Sequence, residues 1–280
     1  MNAIAYTVSD SATMLRRQLR HMVRYPSLTV LVVGMPVIFL LLFVFVFGGT
    51  LGSGLGPATG AGAAASGAAA AAGPSGGRSA YLEYVVPGIL VMTIAAVVQG
   101  TAISVAMDMT GGIVARFRTM SISRASVLTG HVLGSMVQAA LAIALVLGVA
   151  VLIGFRPSAS AAEWLGVVGI LAIASFALIW LCVALGMVTD SVETASNIPM
   201  PLVLLPFLGS GFVPTDSMPG PLRFFAEYQP FTPIIETLRG LLTGTSFGND
   251  GVLAVAWCAV IAALSYLWSL RLYERHSVHG

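Results

Sequence analysis

The sequence predicts an all-α, polytopic membrane protein with six transmembrane helices, an N-terminal amphipathic interface helix, a broken fifth span and short outer re-entrant helices. Two observations predict this class. Hydrophobic residues make up 57% of the 280 residues and charged residues only 9%, whereas soluble domains are about 25% charged. Several apolar runs also approach the roughly 20 residues that a helix needs to cross a hydrocarbon core. Because so few charges cannot cover a water-facing surface, lipid is the expected solvent.

The predicted segments form a single domain over residues 1–280. They begin with an interface helix (9–25) and include a disordered outer loop (48–80), a charged inner loop (108–124) and outer helices (214–249). The six spans are predicted at 28–47, 85–107, 127–153, 163–188, 198–213 and 252–270.

The interface helix combines an apolar stripe at three- and four-residue steps with a basic face that includes Arg16, Arg17, Arg20 and Arg24. This pattern ahead of a span is typical of a helix lying in the membrane surface. Pro26 should end it. The alternative is a solvated basic segment that serves only as a topology signal.

The outer loop consists almost entirely of glycine, alanine and serine. Interleaved glycine opposes helix formation and the segment has almost nothing to bury, so residues 48–80 are expected to be disordered. Tyr81 and Tyr84 mark the outer interface of the second span, as aromatic belts do. Pro87 is expected in the first turn of that span, where proline is tolerated.

The fifth span is predicted to be broken. Its apolar run over 198–213 has only 16 residues and contains Pro199, Pro201 and Pro206. Within a membrane such a segment is tolerated only where neighbouring helices or a cavity satisfy its freed carbonyls. The two helical patterns within 214–249 are too short to span and are expected at the outer surface.

Arginine placement predicts the orientation. With the N-terminus inside, nine arginines fall on inner segments and four on outer segments, which favours both termini in the cytoplasm.

All 13 basic residues are arginine. A Walker-type phosphate loop requires a lysine, so the chain is not expected to be a Walker-type ATPase, and no catalytic residue is predicted on it. Lysine-free, alanine- and glycine-rich composition is typical of high-GC bacteria, which favours a bacterial inner membrane. We expect no cofactor, metal or nucleic-acid partner on this chain.

The inner loop is the one charged segment between two long apolar runs that carries Gly-Gly, three arginines and a helix-start signal together. Gly111 and Gly112 let the chain leave the second span sharply, and Arg116 and Arg118 present fixed charges to a partner. Asp108 is either a partner for one of these arginines or a simple boundary charge. The bland alternative for the arginines is a positive-inside topology signal, and the two roles are compatible.

Two stretches carry a family resemblance. RFRTMSISR (116–124) resembles the first cytoplasmic loop of type-2 ABC transporter permeases. LLPFLGSGFVPTDSMPGPLRFFAEYQPFTPIIETLRGLL (204–242) resembles the broken fifth span and outer helices of the daunorubicin-resistance drug-export subgroup. Together with the six-span order and the basic interface helix, the resemblance covers essentially the whole chain. The long Gly/Ala loop departs from the family pattern.

The resemblance implies a permease that pairs with a second copy of itself and with two copies of a separate ATP-binding subunit, which carries ATP and Mg. It implies export of amphipathic drugs or antibiotics, with lipid or polysaccharide export on the same scaffold as the alternative. The surface helix and inner loop would rest on the ATPase, which makes 108–124 a coupling loop. The residues assigned to ATPase coupling are Gly111, Gly112, Arg116, Arg118, Arg124, Arg16, Arg17 and Arg20.

Polar and aromatic residues within the spans are candidates for a transport path. Gln99 and Gln138 are polar groups at bilayer depth, which usually face a bundle interior; interhelical hydrogen bonding is the alternative. Phe39, Phe43 and Met92 offer an apolar, adaptable surface for a flat molecule, or they serve lipid contact and packing.

Two other classes compete with this interpretation. An intramembrane serine protease would use Ser210 within Gly209-Ser210-Gly211, but it needs a histidine base at membrane depth. Only His131, near the inner end of the third span, approaches that depth. A secondary transporter would need membrane-embedded acids, whereas the acidic residues lie near span ends or in loops.

Overall fold

The computed structural model of the chain describes residues 26–49, 74–110, 124–189 and 191–278. Side chains are described from 32, 77 and 129 onward in the first three of these segments and up to 272 in the last. Within these residues the fold is helical and contains no strand. The N-terminal interface helix predicted at 9–25 lies outside the described residues, as does 50–73 of the predicted outer loop.

Nine α-helices follow one another along the described chain. They are α1 (Pro26–Leu42, continued by a π-helical turn at Phe43–Phe47), α2 (Pro74–Thr110), α3 (Arg124–Ile153), α4 (Ala161–Val188), α5 (Val192–Asn197), α6 (Met200–Leu204), α7 (Gly220–Tyr228), α8 (Phe231–Thr243) and α9 (Asp250–Val278). A short 3-10 turn, Thr215–Ser217, precedes α7.

Four of the described helices are long and apolar enough to cross a membrane. A shorter apolar helix, Val32–Phe47, corresponds to the predicted first span. The four long segments are Gly77–Thr110, Thr129–Ile153, Ala161–Val188 and Asp250–Leu272. These match predicted spans two, three, four and six, while the total of six spans stays a prediction.

The start of α2 corrects two predictions. Its first residue is Pro74, so 74–80 is helical and the prediction of disorder there is wrong; Pro87 lies inside the helix rather than in its first turn. Tertiary contacts explain the difference. Tyr81 is 1% exposed, and the Arg78 guanidinium lies 5.3 Å from the centre of the Phe45 ring. Packing therefore stabilises a turn that composition alone disfavours.

The structure divides the predicted fifth span. Within 198–213 the chain forms only the short helix α6 and then successive turns over 205–212, while α5 lies just ahead of this segment. The predicted outer helices appear as α7 and α8. α8 stops at Gly244, whose left-handed backbone (φ 69°) suits a residue without a side chain. It starts at Phe231, and the Thr232 hydroxyl donates to the Ala226 carbonyl.

The centre of the fold is α2. In an apolar 18-residue stretch of α2, 72% is buried inside the protein. The corresponding stretches of α3 and α9 are 22% and 17% buried. It contacts α1, α3, α4, α5, α6 and α8. Gly186 of α4 faces α2 so closely that an added Cβ would lie 2.6 Å from the Ala102 carbonyl oxygen. Small residues at such crossings allow the close backbone packing that holds membrane helices together.

Candidate functional site

The broken segment depends on neighbouring side chains. Turns leave backbone carbonyls that lipid cannot satisfy, and three carbonyls between 205 and 212 accept hydrogen bonds from side chains elsewhere. The donors come from α2 and from the linker between α7 and α8, which are the kind of partners that a broken span requires. These bonds are Gln229 Nε2 to Leu205 O (3.1 Å), Tyr84 OH to Ser210 O (2.9 Å) and Tyr81 OH to Phe212 O (3.3 Å).

Arg239 of α8 joins the same contacts. Its Nη2 donates to Ser210 O at 2.7 Å and to Tyr84 O at 3.3 Å, and its guanidinium carbon lies 3.8 Å from the centre of the Tyr84 ring. Glu236 forms an ion pair with it, and the Arg239 side chain is 14% exposed. We call Tyr81, Tyr84, Gln229, Glu236 and Arg239, with the carbonyls they bind, the Arg239 cluster.

The Arg239 cluster fixes three elements at once. The Ser210 carbonyl accepts from two donors, one on α2 and one on α8, so both of its lone pairs are used. The rigid fork of arginine suits such simultaneous contacts, and the Tyr84 ring adds a cation–π contact. Because Glu236 neutralises the guanidinium, a buried charge becomes tolerable in a low-dielectric site. Sequence reasoning gave Arg239 no role, since Tyr84 lies 155 residues away and no local pattern signals that contact.

Removal of the Tyr84 hydroxyl tests one bond of the cluster. We expect Tyr84→Phe to lower stability by about 1 kcal/mol, since the net value of such a bond is about 0.5–1.5 kcal/mol. Tyr81→Phe is the matched control, because its hydroxyl makes the longer 3.3 Å bond, and it should cost less. Thermal unfolding of the two purified variants in detergent compares them, and equal losses would contradict this ranking.

Aromatic rings join α1 to the broken segment. Phe207 and Phe212 stack at 4.4 Å between ring centres, Phe43 lies 4.6 Å from Phe212, and Phe39 lies 5.7 Å from Phe207. Phe43 begins the π-helical turn of α1, a geometry found frequently at functional sites. The structure therefore brings the path candidates Phe39 and Phe43 together against the broken segment.

The other path candidates lie elsewhere. Gln99 is partly buried on α2, and its Nε2 donates to the Ser196 carbonyl of α5 at 2.8 Å, which is an interhelical hydrogen bond of the kind considered above. Gln138 is partly buried on α3. Met92 is 3% exposed and belongs to the core.

Most of the predicted coupling residues lie outside the described residues. These are Arg16, Arg17, Arg20, Gly111, Gly112, Arg116 and Arg118. Arg124 is the first residue of α3, and its side chain is also outside the described part.

A buried ionisable pair lies near the opposite end of α2 from the Arg239 cluster. His131 Nε2 of α3 lies 3.1 Å from Asp108 Oδ2 of α2, where the imidazole N–H donates to the carboxylate. Both residues are buried. Asp108 thus has a partner that the sequence analysis did not consider, because only the packing of α2 on α3 brings the two side chains together.

The arrangement around Ser210 bears on the protease alternative. Ser210 Oγ is buried and has no hydrogen-bond partner among the described residues, whereas a serine nucleophile needs contact with a base. His131, the candidate base, contacts Asp108 instead. This geometry does not favour nucleophilic catalysis.

The fold and site together define a helical membrane protein in which a broken segment is held by side chains from neighbouring helices. Such an arrangement places irregular backbone at membrane depth, which is tolerated where protein surrounds it or where it lines a cavity. It is typical of proteins that move a molecule across the bilayer.

Comparisons with known proteins specify the family. Residues 11–243 match the family described as ABC-2 type transporter. The daunorubicin resistance ABC transporter permease protein DrrB1 of Streptomyces coeruleorubidus is 29% identical over 205 residues, which cover 71% of each chain. The probable doxorubicin resistance ABC transporter permease protein DrrC of Mycobacterium tuberculosis is 28% identical over 187 residues, 64% of each chain. The match therefore spans slightly less than two thirds of DrrC.

The chain belongs to the ABC-2 type transporter family. It is a membrane subunit of a transporter and not itself an enzyme, and the family resemblance predicted from its sequence is confirmed.

Proposed function

We propose that this chain is the permease subunit of an ATP-driven exporter of amphipathic drugs or antibiotics. It works as a pair with a second copy of itself and with two copies of a separate ATP-binding subunit, which holds ATP and Mg. The family match over 11–243, together with relatives named for daunorubicin and doxorubicin resistance, is the observation that carries this proposal. Lipid or polysaccharide export on the same scaffold is the second candidate.

We place the pair in a bacterial inner membrane with both termini in the cytoplasm. The nine-to-four distribution of arginines supports this orientation. It puts the coupling loop 108–124 inside and the Arg239 cluster near the outer face. ATP binding draws the ATPase subunits together, the coupling loop and the interface helix 9–25 follow, and the spans shift around the path.

The predicted outer helix α7 is proposed to lie in the outer membrane interface. Phe224 and Tyr228 are each 66% exposed, while Arg223 pairs with Asp216 and Glu227, both at 2.7 Å. The hydrogen bond to Glu227, with the charge of both acids, raises the pKa of Arg223, so the guanidinium stays charged. Aromatic side chains beside paired charges suit lipid headgroups.

Cargo is proposed to pass near the aromatic contacts of Phe39 and Phe43 with the broken segment. Ring faces of this kind suit flat, amphipathic molecules. The test is transport of daunorubicin into inside-out vesicles that contain the permease and an ATP-binding subunit that copurifies with it. ATP-dependent uptake supports the proposal, whereas uptake that needs no ATPase and follows a proton gradient would replace it with a secondary transporter.

Charge reversal of the coupling loop is the second test. Arg116→Glu with Arg118→Glu should reduce copurification of the ATP-binding subunit or uncouple ATP hydrolysis from transport. Loss of a few charge pairs corresponds to roughly 1–3 kcal/mol of coupling, or about 5- to 150-fold. The matched control is Arg156→Glu, which reverses an exposed arginine in the predicted outer loop between α3 and α4. Normal association and transport in the double variant would refute the coupling assignment.

A further inference from the structure

The Asp108–His131 pair lies where the coupling loop meets the fold. Because α2 continues to Thr110, the first three residues of the predicted loop 108–124 are helical, and the connection runs from Thr110 to Arg124, the first residue of α3. The pair is therefore about 3 Å along α2 from one end of the loop and about 10 Å along α3 from the other. The start of α3 projects about two turns beyond the contact, so a displacement there acts on a lever arm.

The chemistry of the pair suits a fixed contact between α2 and α3. A carboxylate and an imidazole in contact at 3.1 Å, both buried within helices long and apolar enough to cross a membrane, have little alternative solvation. Ionisable residues in such segments usually mark a functional position and have a specific partner. The bond restricts splaying of α2 and α3 at the point where the loop would otherwise pull them apart.

We propose that Asp108 and His131 are positioning residues that brace α2 and α3, so that a displacement of the coupling loop moves both helices together. This inference rests on the function proposed above. Without the brace, the pull of the ATPase is taken up by separation of the two helices. With it, the motion passes into α2, the most buried of the long helices.

Contacts of α2 carry that motion further. About two and a half helical turns from Asp108 along α2, the Gln99 side chain donates to the Ser196 carbonyl of α5, just ahead of the broken segment. At the other end of α2, the Tyr84 hydroxyl donates to the Ser210 carbonyl, and the Tyr84 ring lies under the Arg239 guanidinium. A rigid shift of α2 thus acts both on the broken segment and on the helix just ahead of it.

The experiment measures daunorubicin transported per ATP hydrolysed, in proteoliposomes that hold the permease with its ATP-binding subunit. Asp108→Ala and His131→Ala should keep ATP hydrolysis and lower this ratio roughly 2- to 30-fold. This is the range of effects that mutations within coupling networks produce. His131→Gln should restore most of the ratio, because its amide N–H can replace Nε2–H. The double variant Asp108→Leu with His131→Leu keeps the site apolar and filled, which protects folding, and should also be uncoupled.

Thr101→Val is the matched control. It removes the 2.8 Å bond between the Thr101 and Ser135 hydroxyls, which joins the same two helices away from the loop, and it should leave the ratio unchanged. Wild-type transport combined with normal ratios in all brace variants would overturn the inference while leaving the proposed function intact. If Asp108→Ala and Thr101→Val lower thermal stability equally and leave the transport-to-hydrolysis ratio unchanged, the Asp108–His131 contact contributes only to packing and the inference is wrong. Failure of the wild-type complex to couple ATP to daunorubicin would instead reject the proposed function.

Discussion

Gly88→Ala should abolish most of the correctly folded protein. A Cβ added at Gly88 of α2 would lie 2.4 Å from the Gly211 carbonyl oxygen, 2.8 Å from its Cα and 2.9 Å from its carbonyl carbon. All three are backbone atoms of the broken segment, so no side chain can rotate away to make room. Overpacking typically costs 1–3 kcal/mol and sometimes more, and here the whole broken segment would have to move. We expect a loss of about 3 kcal/mol or greater.

The control for Gly88 is an equivalent change in open space. Gly148 of α3 and Gly169 of α4 have no heavy atom within 4 Å of an added Cβ. Alanine there should be neutral or stabilising by up to about 1 kcal/mol, because it favours helix. Thermal unfolding of detergent-purified protein, followed by the loss of the monodisperse chromatographic peak, compares the three variants. Similar midpoints for all of them would show that α2 does not approach the broken segment this closely.

Arg239→Leu should be nearly as damaging. The substitution leaves Glu236 without its ion-pair partner and removes one hydrogen-bond donor from the Ser210 carbonyl. It also replaces the cation–π contact with the Tyr84 ring by an apolar contact. Removal of one partner from a fully buried ion pair costs about 3–5 kcal/mol, and because the Glu236 side chain is 33% exposed we expect a loss toward or below the lower end of that range. Arg239→Lys keeps the charge and loses the rigid fork that contacts two carbonyls, so it should recover only part of the stability. The same unfolding assay ranks the variants, together with daunorubicin transport in vesicles.

Arg223→Leu is the control for Arg239. Arg223 also bonds a glutamate on its own helix and has a second acidic partner, but its side chain is 46% exposed. Exposed ion pairs contribute about 0–1 kcal/mol. A loss at Arg223 as large as that at Arg239 would mean that the outer helices depend on charge pairs in general and not on the Arg239 cluster.

The two ends of α2 show how far local patterns reach. Apolar runs near 20 residues predicted four of the long helices to within a few residues at most ends, because burial in lipid needs only a continuous apolar helix. The start of α2 was predicted eleven residues too late. Its first turns are rich in glycine and serine, and they are helical because Tyr81 and Leu82 bury against the rest of the fold.

The broken segment shows the same division at the level of the site. Three prolines within sixteen apolar residues predicted that a continuous helix would fail there and that foreign donors would be needed. They did not indicate which donors, since Gln229 lies 24 residues away and Tyr84 lies 126 residues away. Gln99, a candidate for the transport path, donates to a backbone carbonyl of α5, and the sequence did not indicate that acceptor.

Composition and apolar run length were sufficient for the membrane class and the positions of the long helices, and the stretches 116–124 and 204–242 carried the family resemblance, because each of these depends on residues close together in the chain. Partner choice among polar groups depended on the packing of distant helices. Asp108 met His131, and Arg239 met Ser210 and Tyr84, only because α2, α3 and α8 came together in one particular way. Buried polar groups in lipid must find a partner, and a linear pattern states that requirement without naming the partner.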